Sequence, residues 1–217
     1  MKLIFRTAAA ISLLYILTLN MFAANNMSPE RKLAYKGFSG GMMLHTGYVS
    51  SGEFTITGQN FPPQTIQVKG MPTGMGGAMR FHFGNHLRVG TEGYVSNLTY
   101  GEYENSRISV GWGGILADMF FEGGKFSPYF GVTVGGGRVR NTTIFSPTPE
   151  DFIMDEKVSY RSYSIFSVVP FVGVEYKLTP KMRLTAKLDW VINASAYRPD
   201  FVRGPRICIG FIFDRSK

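Results

Sequence analysis

Three histidines, His45, His82 and His86, a single cysteine, Cys208, and the serines Ser39, Ser109 and Ser167 are the residues of this chain whose types could make or break bonds. Acyl transfer would need a serine, a histidine base beside it and a group to orient that base. His45 is followed by Thr46-Gly47 and His82 by Phe83-Gly84, so neither forms a His-x-Ser pair along its own segment. His45, His82 and Cys208 fall on different strand-like segments and lack the ligand spacing of a zinc site, and one cysteine allows no internal disulfide. The Gly135-Gly136-Gly137 run precedes neither a helix nor a Lys-Ser/Thr pair, so it suits chain curvature better than phosphate binding. These residues therefore indicate no catalytic site, no metal and no cofactor. His45 and His82 are expected as members of an interior hydrogen-bond network, and Cys208 as a small packed residue.

Charged residues form the more informative set. From Lys181 to Asn193 the chain reads KMRLTAKLDWVIN, with Met182, Leu184, Ala186, Leu188, Trp190 and Ile192 on one parity and Arg183, Thr185, Lys187 and Asp189 on the other. Successive side chains of a strand point to opposite faces, so this segment has one apolar and one charged face, whereas a helix would scatter both. The pattern recurs. Ile207, Ile209, Phe211 and Phe213 oppose Arg206, Cys208, Gly210 and Asp214; Phe166, Val172 and Val174 oppose Ser167, Gly173 and Glu175; Leu87 and Val89 oppose Arg88, Gly90 and Glu92. The polar parity is expected to gather Arg80, Arg88, Glu92, Arg107, Glu175, Arg183, Lys187, Asp189 and Arg206 into one network of both signs.

The elements that would position these residues are strands and turns. The chain has 217 residues, 26 of them glycine, with 14% aromatic and only 18% charged side chains, a composition suited to an all-β domain. Lys2 and Arg6 precede the apolar stretch Ala8 to Leu19 and the small residues Ala23 and Ala24, which predicts a secretory signal peptide over 1–24 and a mature domain over 25–217. Removing Lys2 and Arg6 from 23 basic residues, against 15 acidic ones, leaves a net charge of +6. An exported chain with no basic run or recognition motif is not expected to bind nucleic acid. Anionic lipid head groups are the expected partners of such a basic surface.

About eight strand-like segments are predicted, at 35–48, 71–84, 86–98, 106–121, 127–139, 162–178, 181–194 and 205–214. Short turns at Gly84-Asn85, Glu122 to Lys125 and Thr179 to Lys181 alternate with longer connections at 49–70, 99–105, 140–161 and 195–204. That alternation is the mark of an up-and-down membrane barrel. A soluble barrel would carry its charges outward, but here glycine tends to share the charged parity, as it would in a narrow lumen crossed by long side chains. The polar face is therefore read as lumenal, with both signs paired there.

With these features the chain resembles the small eight-stranded outer-membrane β-barrel proteins, the group of the OmpA-like transmembrane domains and the OmpX-like proteins, over residues 35 to 214. Its last strand differs from theirs in continuing past Phe213 with Asp-Arg-Ser-Lys. The resemblance implies an antiparallel barrel in the outer membrane of a Gram-negative bacterium, with a charged interior plug and variable surface loops. A monomer with a structural or surface-interaction role is expected, meeting any extracellular ligand through 49–70 and 140–161. The alternatives are a lipid-modifying barrel enzyme, a small-conductance porin and, last, a soluble barrel.

Overall fold

The computed structural model describes residues 34–57, 63–101, 106–144 and 158–215. The expected signal peptide lies outside the described residues. Eleven strands follow in chain order: β1 (Tyr35–Gly47), β2 (Val49–Ile56), β3 (Gln64–Gly70), β4 (Thr73–Phe83), β5 (Leu87–Thr99), β6 (Arg107–Phe120), β7 (Phe126–Ile144), β8 (Val158–Thr179), β9 (Met182–Trp190), β10 (Ile192–Asn193) and β11 (Pro205–Asp214). The sheet runs β8-β7-β6-β5-β4-β1-β11-β9, and β9 pairs back with β8. This closes a ring of eight antiparallel strands and leaves no free sheet edge.

Pro170 interrupts the closing seam, which also shifts register between Lys177 and Thr179 beside its turn. Phe171 faces Asp189 and, three residues on, Val168 faces Ile192, so β9 and β10 keep a single register along β8. The intervening ladder is interrupted opposite Pro170, which has no N–H to donate. The short turns between β4 and β5 and between β6 and β7 use Gly84 (φ 57°) and Gly124 (φ 64°), in the left-handed region that glycine adopts without strain.

Side chains alternate between a buried interior and an exposed apolar exterior. Met42, Leu44, Met75, Ile115, Phe130, Val172, Leu188, Ile209 and Phe211 all point outward and are exposed. A water-soluble protein rarely exposes so continuous an apolar surface, and hydrocarbon is the solvent it fits. On β7 the belt runs from Phe126 to Gly136; at ~3.3 Å per residue and ~40° tilt this spans ~25 Å of membrane. Beyond it the outward residues turn polar.

Two of the long connections are more ordered than the sequence suggests. Within 49–70, β2 and β3 pair antiparallel as a hairpin in a sheet of its own. Residues 140–144 and 158–161 belong to β7 and β8, which pair without a shift from Phe126↔Tyr176 to Ile144↔Val158 and so run well past the apolar belt. Hydrogen bonding over this whole length adds little apolar exposure, because apart from Tyr160 the outward residues of these outer ends are Arg138, Arg140, Thr142, Ser162 and Ser164.

The interior has two storeys. Charged side chains fill the half nearest the short turns. In the other half Leu98, Ile108, Val110, Val139 and Phe201 pack with Val49, Phe54 and Val68 of the hairpin, leaving a cavity of about 30 Å³ beside Val49, Ile108 and Phe201. A polar lumen throughout is thus not what forms. Glycine likewise occupies both faces: Gly173 makes room inside for the Tyr129 ring, but Gly77, Gly93, Gly113 and Gly136 form a row across four strands on the outer face.

Candidate functional site

The interior charges meet because the barrel's alternation turns one parity of every strand inward, and ring closure brings residues far apart in sequence within reach. Asp118 on β6 is the first hub. Its Oδ1 accepts from Arg88 Nε at 2.6 Å and its Oδ2 from Arg80 Nε at 3.0 Å. Arg88 donates onward through Nη1 to Glu175 Oε1 at 2.7 Å. Arg183 lies 3.8 Å from Glu175 Oε2 and 2.7 Å from Asp214 Oδ2.

Asp189 is the second hub. Arg206 donates to it twice, at 2.8 and 3.0 Å, in the planar fork geometry that suits guanidinium and carboxylate. Lys187 Nζ bridges Asp189 Oδ2 at 3.2 Å and Glu92 Oε2 at 2.9 Å, and Glu92 Oε1 accepts from Thr133 Oγ1 at 2.6 Å. Aromatic rings line both clusters. The Arg88 guanidinium lies 4.2 Å from the Phe120 ring centre, and Lys187 lies 4.8 Å from that of Tyr94. Five cations (Arg80, Arg88, Arg183, Lys187, Arg206) are thereby buried with five carboxylates (Glu92, Asp118, Glu175, Asp189, Asp214). This network balances to zero, while a sixth buried carboxylate, Asp200, pairs with the exposed Arg161 at 3.2 Å, so the chain's positive excess lies elsewhere.

Eight of the nine residues assigned to the network from sequence are buried together. Arg107 is the correction: it is exposed at the start of β6, and the inward parity of that strand belongs to Ile108, Val110, Trp112, Leu116 and Asp118. Both faces of β6 are largely apolar, so its phase could not be read from hydrophobicity, and Ser109 shares the outward parity of Arg107. Asp118 was missed for this reason, although a lone carboxylate in an apolar segment was the available signal. Trp112 is likewise interior, while Trp190 faces outward.

The histidines do not converge on a metal, and among the described residues no group of His, Cys, Asp or Glu is placed to hold one. His82 Nε2 lies 2.8 Å from Ser39 Oγ, a partner the sequence did not reveal. Both are buried beside Phe120 within the network. His45 is buried edge-on to the Tyr94 ring, with neither ring nitrogen hydrogen-bonded. His86 sits at the short-turn end and contacts the Phe120 carbonyl at 3.0 Å. Cys208 is buried and donates weakly to Asp189 Oδ2 at 3.6 Å.

Neisserial surface protein A has the same architecture, with a TM-score of 0.53 at 15% identity over 83% of this chain and 98% of that one. The fold is that of the small outer-membrane β-barrels. Ail, the attachment invasion locus protein of Yersinia pestis, solved in complex with the heparin analogue sucrose octasulfate, aligns with this outer-membrane barrel at a TM-score of 0.50 and 14% identity, over 82% of this chain and 98% of its own. No protein-family model and no curated protein matches the sequence. At these identities the likeness concerns the fold, and the role of the outer-membrane barrel has to be argued from its own residues.

Proposed function

We propose that this outer-membrane barrel is a non-enzymatic structural and surface-interaction protein whose lumen is plugged by its ion-pair network. The observation that carries this reading is the balanced set of five cations and five carboxylates, reaching between opposite walls. Eight strands enclose a space that side chains can fill, and here the hairpin and Phe201 pack the remaining half with apolar groups. Interaction with an extracellular ligand would fall to the protruding hairpin and the outer ends of β7 and β8. Between them lies a cleft of about 220 Å³ lined by Phe54, Ile56, Asn141, Ser159 and Arg161.

Planar-bilayer recording on the folded chain tests the plug. Silence is the expected result, and a steady single-channel current from the wild-type protein would sink this reading. The enzymatic alternative rests on the Ser39–His82 contact. Ser39→Ala and His82→Ala should leave the acylation state of outer-membrane lipids unchanged, because a hydrogen bond packed beneath Phe120 has no access to an acyl chain. A changed lipid profile in either variant would favour the enzyme.

A further inference from the structure

Three of the cations that the interior does not hold lie together on the outer wall, just beyond the apolar belt. Arg138 and Arg140 alternate outward along β7, and Arg107 faces outward on β6. The register sets Gly111 opposite Arg138, Ser109 opposite Arg140 and Arg107 opposite Thr142. Arg107 is therefore the diagonal neighbour of Arg140, and each arginine lies ~7 Å from the next at the backbone, within the reach of their side chains. Among the described residues none of the three forms an ion pair. Their flanks are small and polar: Ser162 and Ser164 of β8 stand opposite Arg140 and Arg138, and Ser109 Oγ donates to Asn97 Oδ1 at 2.6 Å in the row of Arg140. Directly below, Gly113 and Gly136 leave the wall without side chains.

We propose that Arg107, Arg138 and Arg140 form a binding site for the phosphate groups of an outer-leaflet lipid. The site continues the lipid-facing belt, since Val134 and Phe166 lie one row below the Gly113–Gly136 pair or beside it, so one molecule can hold its acyl chains on the belt and its phosphates on the guanidiniums. Guanidinium is the group suited to this, presenting a planar fork to two phosphate oxygens. Three arginines on two neighbouring strands match a headgroup carrying two phosphates better than a single soluble anion. The inference requires the barrel's seat in the membrane but not the plugged lumen. Bilayer silence and lipid affinity can therefore fail separately.

Native mass spectrometry of the folded full chain in detergent, titrated with bisphosphorylated lipid A, tests the site. Arg107→Gln, Arg138→Gln and Arg140→Gln should each weaken binding about fivefold, and the triple variant about a hundredfold. Lys125→Gln with Lys177→Gln, exposed at the opposite rim, should bind as the wild type does. Lipid A stripped of both phosphates should bind all variants alike. Equal affinity of the wild type and the triple variant for bisphosphorylated lipid A overturns the proposal; the single variants decide it if the triple variant does not fold. Sucrose octasulfate serves as the soluble polyanion. Binding of that sugar that depends on the three arginines, with lipid binding that does not, overturns the proposal in favour of an extracellular polyanion.

Discussion

Lys187 Nζ on β9 lies 2.9 Å from Glu92 Oε2 on β5, with both side chains fully buried. These strands are four places apart in the ring of eight, so the ion pair joins opposite walls of the barrel. Burying two charges is expensive, and the partners on each side, Asp189 for the lysine and Thr133 for the glutamate, offset that cost. Lys187→Met removes the cation and leaves Glu92 buried without it. It should destabilise the barrel by ~3–5 kcal/mol. The double variant with Glu92→Gln should recover part of that loss, giving a coupling energy of ~1 kcal/mol or more in guanidinium unfolding followed by gel mobility. Additive effects would show that the pair does not interact.

Asp118 and Arg107 make a matched contrast on one strand. Asp118 holds Arg80 and Arg88 at once, so Asp118→Asn weakens two buried charge-assisted bonds and should cost about 3 kcal/mol of unfolding free energy. Arg107 is exposed and forms no ion pair among the described residues. Arg107→Gln should therefore change stability by less than about 0.5 kcal/mol. The same denaturant series measures both, and a large effect at Arg107 would contradict its outward placement.

These two residues also show how far the sequence could be read. On β9 and β11 one parity is largely polar or charged and the other apolar, so burial forces the phase, and Lys187 and Arg206 lie inside as their pattern requires. On β6, Ile108, Val110, Trp112 and Leu116 oppose Ile115, Ala117 and Met119, and either phase would bury hydrophobic groups. Only partners on other strands, Arg80 and Arg88, fix the choice, and those are long-range facts. The apolar upper storey was hidden for a related reason: Val49, Phe54 and Val68 lie in a connection whose hairpin register is not marked by a two-residue Gly turn. The Ser39–His82 contact depends on the β1–β4 register, which no local pattern specifies.

Gly173 tests whether the interior is as closely packed as the contacts indicate. A Cβ there would fall on the Tyr129 ring and 2.7 Å from the Ala186 carbonyl oxygen, and neither neighbour can withdraw, since Tyr129 Oη is held by Thr185 at 2.8 Å. Gly173→Val should abolish the heat-modifiable folded band on gels or cost more than about 3 kcal/mol. Gly111 faces outward, with no atom within 4 Å of its would-be Cβ. Gly111→Ala should fold with wild-type stability. Equal behaviour of the two variants would mean that the wall, and not the interior packing, sets the glycine requirement.

Phe54 separates the two storeys functionally. Its side chain is buried among the apolar groups of the upper half, so Phe54→Ala should lose ~3–5 kcal/mol of local packing. The loss falls on the hairpin β2–β3, whose own sheet is joined to the rest by few backbone contacts, such as the Ser50↔Arg203 bridge. Limited proteolysis should then cut within 49–70 much faster than in the wild type, while gel mobility still reports a folded barrel. Bilayer recordings of Phe54→Ala should stay silent, because Glu92, Lys187, Asp189 and Arg206 still bridge the lumen below. Current from Phe54→Ala together with silence from Lys187→Ala would place the barrier in the apolar storey instead and reverse the assignment of the plug to the ion pairs.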